Sequence, residues 1–273
     1  MSVAKIDPTA RVADGARLGA GVEVGPYCIV GADVTLDEGV RLIANVHLAG
    51  VTSIGARTVV YPFASLGTPP QSVHYKGEAS RLVIGADCQI REGVTMNPGT
   101  AGGRMETTVG DRCFLMVGSH IAHDCIIGND VILANNATLA GHCFVGDHVF
   151  FGGMSAAHQF ARVGEQAVIG GMSGVEFDVI PFGALLGARG ELGGLNIIGM
   201  RRRKVPREAI HSLRAAYRSL FFGAGTLAER VDEVAIEYAG DVYVQKIITF
   251  IRAGGKRRLT LPRTNGGFED DEP

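Results

Sequence analysis

The sequence predicts a β-solenoid followed by a small helical domain, and three observations carry that expectation. An aliphatic residue recurs every six positions through most of the first 190 residues. Glycine makes up 39 of 273 residues, about twice the ~7% of ordinary proteins, while aromatics are only 7% and Trp is absent. Turns, not bulky side chains, therefore set the architecture. Past residue 190 the six-residue beat gives way to helical spacing.

Stepping by six from Ile6 meets Val12, Leu18, Val24, Val30, Leu36, Leu42, Leu48, Ile54, Val60 and Leu66. Residues 67–83 interrupt the pattern, which returns in phase at Ile84, Ile90 and Met96. A second interruption, 97–108, shifts it by one residue, and it then runs from Val109 to Pro181, with Ala157 and Pro181 its weakest members. Four positions after each aliphatic residue the side chain is small or β-branched, and all five cysteines (28, 88, 113, 125, 143) fall in that column. They read as inward-facing fillers, because an odd number without a CxxC pair suits neither a disulfide framework nor a thiolate zinc site. A period of six is neither helical nor simple strand alternation. It fits short strands joined by tight turns, each unit burying its aliphatic residue by stacking on the next.

The expected division is residues 1–190 as the solenoid, 191–263 as the helical domain and 264–273 as a disordered, Gly-rich then acidic tail. Pro206 marks a helix start, with Ile210, Leu213, Tyr217 and Leu220 at helical spacing. Thr226 and Glu229 form a capping-box pair, and Asp241 caps a helix carrying Ile247, Ile248 and Ile251. A net charge of −2 with 46% hydrophobic residues excludes a polyanion binder and a disordered chain. No apolar run approaches a membrane span and no signal peptide opens the chain, so a soluble, cytoplasmic protein without stable membrane insertion is expected. Between Arg201 and Arg218 seven basic residues face one acid, Glu208, a local charge of +6. Without interleaved aromatics this patch does not suggest nucleic acid; an acidic protein partner suits it better.

The hexad pattern resembles the left-handed parallel β-helix of the hexapeptide-repeat acyltransferases, in which three hexads make an 18-residue coil. The left hand comes from that resemblance, since the ordinary crossover rule favours the opposite. On such a coil His123, His142 and His158 fall on three successive turns within one residue of the same angular position. Gln159 is in register with His123, Gly141 lies one coil away, and His120 precedes His123 by three residues. Two chemistries suit the cluster: a general base with its orienting partners, or a three-histidine zinc site like that of the trimeric β-helical carbonic anhydrases. A purely structural solenoid leaves His123-Asp124 without a role.

The strings Ser119-His120-Ile121-Ala122-His123-Asp124-Cys125, Ala134-Asn135-Asn136-Ala137-Thr138-Leu139-Ala140-Gly141-His142 and His158-Gln159-Phe160 are more specific. With Arg202-Arg203 and Arg207-Glu208-Ala209-Ile210, they resemble the UDP-N-acetylglucosamine acyltransferases, which open lipid A biosynthesis. The resemblance spans about residues 6–260. It implies a homotrimer that moves a 3-hydroxyacyl group from acyl carrier protein to the 3-position of the UDP-sugar. His123 would be the base, Asp124 its orienting partner and the Gly141 N–H the oxyanion donor. His120, His142, His158, Gln159, Gln71 and His74 would line the substrate clefts, Asn196, Arg202 and Arg203 would hold the UDP, and Gly171 would floor the acyl groove. No metal or other cofactor is implied, because a thioester carries its own activation. Ser72 and His74 stand where the family commonly has Asp and Lys, Asn97 where it has His, and Ile198 where it has Glu. These departures leave a 3-amino acceptor open beside the 3-hydroxyl. The later N-acyltransferase of the same pathway is a competing reading, although it typically carries an N-terminal uridine-binding domain.

Overall fold

Each coil contributes two-residue strands to three faces of a triangular prism. The computed structural model describes residues 3–255 and 257–262, so the expected disordered tail lies outside the described residues. Among these, three sheets run along the prism: sheet 1 with eleven strands, sheet 2 with nine and sheet 3 with eight. Together they form a left-handed parallel β-helix. In most strands the second residue faces inward; Val24, Leu42, Val60, Ile90, Leu115, Leu133, Phe151 and Ile169 are all buried in one column. From Val22 onward the small-residue column is buried too, and the five cysteines are all free and buried. Ile and Leu fit here because a one-residue slip would turn every one of them to solvent.

Regular coils stack with a register of 18 residues, as in Glu23 beneath Arg41. Across the first interruption the register widens to 30 (Arg57 with Asp87) and across the second to 25 (Arg81 with Glu106). Both interruptions are thus loops extruded from coils that still stack in parallel. The parallel series ends at Gly183–Leu186, where Glu191–Leu195 pairs back antiparallel and closes the open end. The hexad step does not anticipate that strand.

Among the described residues four helices follow: α1 (Ile197–Arg202), α2 (Arg207–Phe222), α3 (Leu227–Glu237) and α4 (Val242–Gly254). Pro206 precedes α2, whose Ile210, Leu213, Tyr217 and Leu220 are buried, and Thr226 and Glu229 make a reciprocal capping box on α3. Asp241 caps α4 by accepting from Tyr243 and Val244. Beyond α4 the chain returns to the β-helix through bridges Asp178–Leu259 and Leu192–Pro262. No helix among the described residues is long and apolar enough to cross a membrane.

Candidate active site

The site grows from the turns that join sheet 2 to sheet 3. His120–Ile121 leads into the His123-Asp124 turn and on to Ile126–Ile127. One coil later Gly141-His142 occupies the same turn, and after it Gln159-Phe160. The His142 N–H donates to the His123 carbonyl (2.9 Å), and the Phe160 N–H to the Gly141 carbonyl (3.0 Å). His123, Gly141 and Gln159 therefore stack along one prism edge, with Asp124, His142 and Phe160 beside them.

Asp124 is the fixed point of this edge. Its side chain is fully buried and accepts four hydrogen bonds: from the Thr100 and Arg104 N–H groups on Oδ1 (3.0 and 2.7 Å), and from Thr100 Oγ1 and His123 Nδ1 on Oδ2 (2.6 and 2.8 Å). Burial opposes the carboxylate charge, yet the hydrogen bonds from Thr100, His123 and Arg104 outweigh it and hold the pKa below the ordinary carboxylate value. An ionised carboxylate only accepts, so Nδ1 of His123 must donate, and the free lone pair of a neutral ring lies on Nε2.

Gly141 faces that ring. A Cβ at this position would lie 2.6 Å from His123 Cε1 and 2.8 Å from Nε2, so only glycine lets the backbone approach the imidazole so closely. The Gly141 N–H has no intrachain acceptor among the described residues. His142 meets His123 edge-on, ring centroids 5.0 Å apart, and Phe160 stacks on its other face at 4.4 Å and 7°. Burial pushes the His142 pKa down against the pull of Asp124, and burial likewise lowers that of His120, whose Nδ1 lies 2.7 Å from Thr95 Oγ1. His158 is exposed, its Nδ1 3.2 Å from the Gln159 carbonyl.

Sequence reasoning missed the groups that hold Asp124. Thr100, Gly103 and Arg104 belong to the second interruption, and a Cβ on Gly103 would strike the Asp124 carboxylate at 2.2 Å. This loop is tied to the first one: Glu78 accepts from the Ala101 N–H (2.8 Å) and Asn97 Nδ2 donates to the carbonyls of Thr68 and Pro69 (3.0 and 3.2 Å). Their signal in the sequence was the break in the beat itself. Gln71 and His74 are exposed on the first loop.

Other residues expected at the site stand elsewhere in the chain. Asn196 caps α1, accepting from the Gly199 N–H (2.9 Å) and donating to the Gln166 carbonyl (2.8 Å), which leaves one N–H of its amide for a ligand. Arg203 donates to the His148 carbonyl (3.0 Å), and Arg202 is exposed beside it. Gln166 and His148 form turns between sheets 3 and 1, a different prism edge from that of His123. The three-histidine zinc set is not assembled either. The ligand atoms that converge within 4.8 Å belong to His123, Asp124 and His142, with His158 outside the group. All four donors on Asp124 would have to be displaced or compete with an ion, so this set does not fit zinc.

A parallel β-helix with a carboxylate-bound histidine packed against a backbone whose N–H has no acceptor among the described residues fits a hexapeptide-repeat acyltransferase. The family profile described as "Udp N-acetylglucosamine O-acyltransferase; Domain 2" matches residues 178–260, and that of the bacterial transferase hexapeptide repeat matches 106–141. The chain is 61% identical to the acyl-[acyl-carrier-protein]–UDP-N-acetylglucosamine O-acyltransferase of Azorhizobium caulinodans, covering 99% of this chain and all of that one. Its counterpart from Rhizobium johnstonii is 48% identical over 95% of both. A solved UDP-N-acetylglucosamine acyltransferase from Campylobacter jejuni superposes with a TM-score of 0.88 at 37% identity, covering 94% of this chain and 99% of that one. This chain belongs to the UDP-N-acetylglucosamine O-acyltransferase family.

Proposed function

We propose that this acyltransferase moves a 3-hydroxyacyl group from acyl carrier protein to the 3-hydroxyl of UDP-N-acetylglucosamine, the first step of lipid A biosynthesis. The observation that carries the mechanism is His123, bound through Nδ1 to Asp124 and packed against the backbone of Gly141, whose N–H has no acceptor among the described residues. In this reading Nε2 takes the proton of the 3-hydroxyl as its oxygen attacks the thioester carbonyl carbon. The tetrahedral oxyanion accepts from the Gly141 N–H. Collapse breaks the C–S bond, and the imidazolium, stabilised by Asp124, returns its proton to the departing carrier thiolate.

The outer face of sheet 2 supports an acyl groove beside this edge. Its outward residues shrink along the prism from His120 through Thr138 and Ala156 to Gly174. Gly171 stands at the opposite edge of that face, where a Cβ would meet only the Gly153 backbone, at 3.4 Å or more. Such a floor admits a long 3-hydroxyacyl chain.

Asn196, Arg202 and Arg203 lie on a different edge from His123, which supports a homotrimer in which the UDP-holding groups of one copy face the base of another. A variant lacking His123 mixed with one lacking Arg203 regains activity on this arrangement; two variants that stay inactive after subunit exchange refute it. The carrier substrate and five unpaired, buried cysteines support a cytoplasmic location.

The deciding assay incubates the protein with UDP-N-acetylglucosamine, its 3-amino analogue and a panel of acyl-carrier thioesters, and weighs the products. O-acylated sugar at a rate lost in His123→Ala is the expected result. Acylation of the amine alone would reassign the acceptor, and no acyl product at all would remove the function.

A further inference from the structure

Asp178 is a buried acid that the mechanism does not use, and its side chain is 1% exposed. Its oxygens accept from the Arg162 N–H (3.0 Å), Arg162 Nε (2.7 Å) and Arg257 Nε (3.1 Å to both oxygens). Arg162 also donates to the Phe250 carbonyl in α4 (3.0 Å) and stacks on the Phe250 ring at 4.3 Å. The second arm of Arg257 does something different: its Nη2 donates to the carbonyl of Phe160. Phe160 is the residue whose N–H donates to the Gly141 carbonyl and whose ring covers His142. It sits at φ +65°, the left-handed turn conformation that Asp124 and His142 share on the preceding coils.

We propose that Arg257, anchored by Asp178, is a positioning residue that fixes the Gln159-Phe160 turn against Gly141 and His142, so that the returning C-terminal segment sets the geometry of the oxyanion edge. Neither residue touches the reacting atoms. The guanidinium suits the task because its planar fork reaches a carboxylate and a carbonyl at once, which a point-like ammonium cannot. This inference rests on the acyl-transfer reading for its kinetic test, but the contact itself does not.

Arg257→Lys keeps the cation against Asp178 and gives up the fork. Expected is a fall in kcat/KM of about tenfold, the equivalent of one hydrogen bond to a charged group. The melting temperature should stay within ~3 °C of the parent. In a Phe160→Leu background, which removes the ring that the fork positions, the same change should cost less than about twofold, because coupled residues are not additive. A merely structural staple would instead lower kcat/KM equally in both backgrounds, and that result overturns the proposal, as does an unchanged Arg257→Lys enzyme. Should Arg257→Lys not fold, Arg257→Gln takes its place in the cycle; failure of both to fold assigns the cluster to stability alone and also overturns it. Hydrogen exchange separates the inference from the function. Faster exchange of the Phe160 amide in Arg257→Lys, with the Ala140 and His142 amides unchanged, supports the contact even if the wild type transfers no acyl group to UDP-N-acetylglucosamine. Unchanged Phe160 exchange counts against the contact whatever the activity.

Discussion

The coils between residues 22 and 60 and the coils between residues 106 and 175 share one repeat, one register of 18 and one buried aliphatic column. They differ at the edge between sheets 2 and 3. In the early coils that edge carries Asp33, four residues after the outward Ile29; in the later coils it carries Asp124, four residues after the outward His120. Asp33 is exposed, whereas Asp124 is buried and accepts four hydrogen bonds. The difference is the loop of residues 97–105 laid over the later edge. The prism supplies a rigid ruler of positions, and an insertion turns one of them from a solvated turn acid into an orienting carboxylate. Sites placed on such regular elements are held by packing rather than by the loop alone.

The comparison breaks most sharply at His123. His123→Ala should cost ~10²–10⁴-fold in kcat with the melting temperature unchanged, since the side chain contributes little to the aliphatic core. An Asp33→Ala enzyme, altered at the equivalent early edge, should keep its full rate. More than a tenth of wild-type activity in His123→Ala would reject it as the base.

A smaller effect is expected at Gly171, the proposed floor of the acyl groove. Gly171→Met has room for its Cβ, so the fold should persist while the groove is shortened. Overpacking a fixed groove costs roughly 1–3 kcal/mol, which should appear as a shift of thioester preference to shorter chains in a competition assay. Unchanged preference would remove Gly171 from the acyl pocket.

Thr100→Val tests the loop directly. It deletes the hydroxyl that donates to Asp124 Oδ2 while the Thr100 N–H remains. Loss of one hydrogen bond to a charged group predicts about a tenfold fall in kcat. The sign of the pH effect follows. The hydrogen bonds lower the Asp124 pKa in the folded state, so its contribution is present at neutral pH and disappears as the pH falls through that lowered value. Removing a donor raises the pKa, and the acid limb of the rate profile should move to higher pH. A profile that keeps its acid limb in place would show that the loop covers Asp124 without tuning it.

How much of this was readable beforehand differs between prism and site. The repeat was legible because each coil buries one aliphatic residue in a fixed place, so Ile84 and Val109 mark the returning beat even after long interruptions. His123, Gly141 and Gln159 were legible for the same reason, since a fixed register turns sequence separation into distance. Thr100, Gly103 and Arg104 were not, because an extruded loop has no register and its partners are set only by where it folds back. Arg257 lies at the far end of the same problem, 97 residues from the carbonyl it binds. The three-histidine zinc alternative failed on something spacing cannot show, the position of His158 outside the ligand atoms that converge from His123, Asp124 and His142.

The smallest expected effect concerns the basic start of the helical domain. Lys204, Arg207 and Arg218 are exposed and take no part in the hydrogen bonds on Asp124 and His123. Acyl carriers are small acidic proteins, and attraction between opposite patches acts chiefly on association rate and is screened by salt. Rim charges of this kind contribute modestly, so each reversal to Glu should raise the KM for the acyl-carrier donor only about two- to fivefold. The KM for the nucleotide sugar should stay nearly constant, because Arg202 and Arg203 are left intact. The salt dependence of the donor KM should flatten as reversals accumulate. A helix whose charges merely face solvent would leave both quantities untouched. If the triple reversal keeps the wild-type donor KM and its salt slope, the carrier docks elsewhere on the molecule.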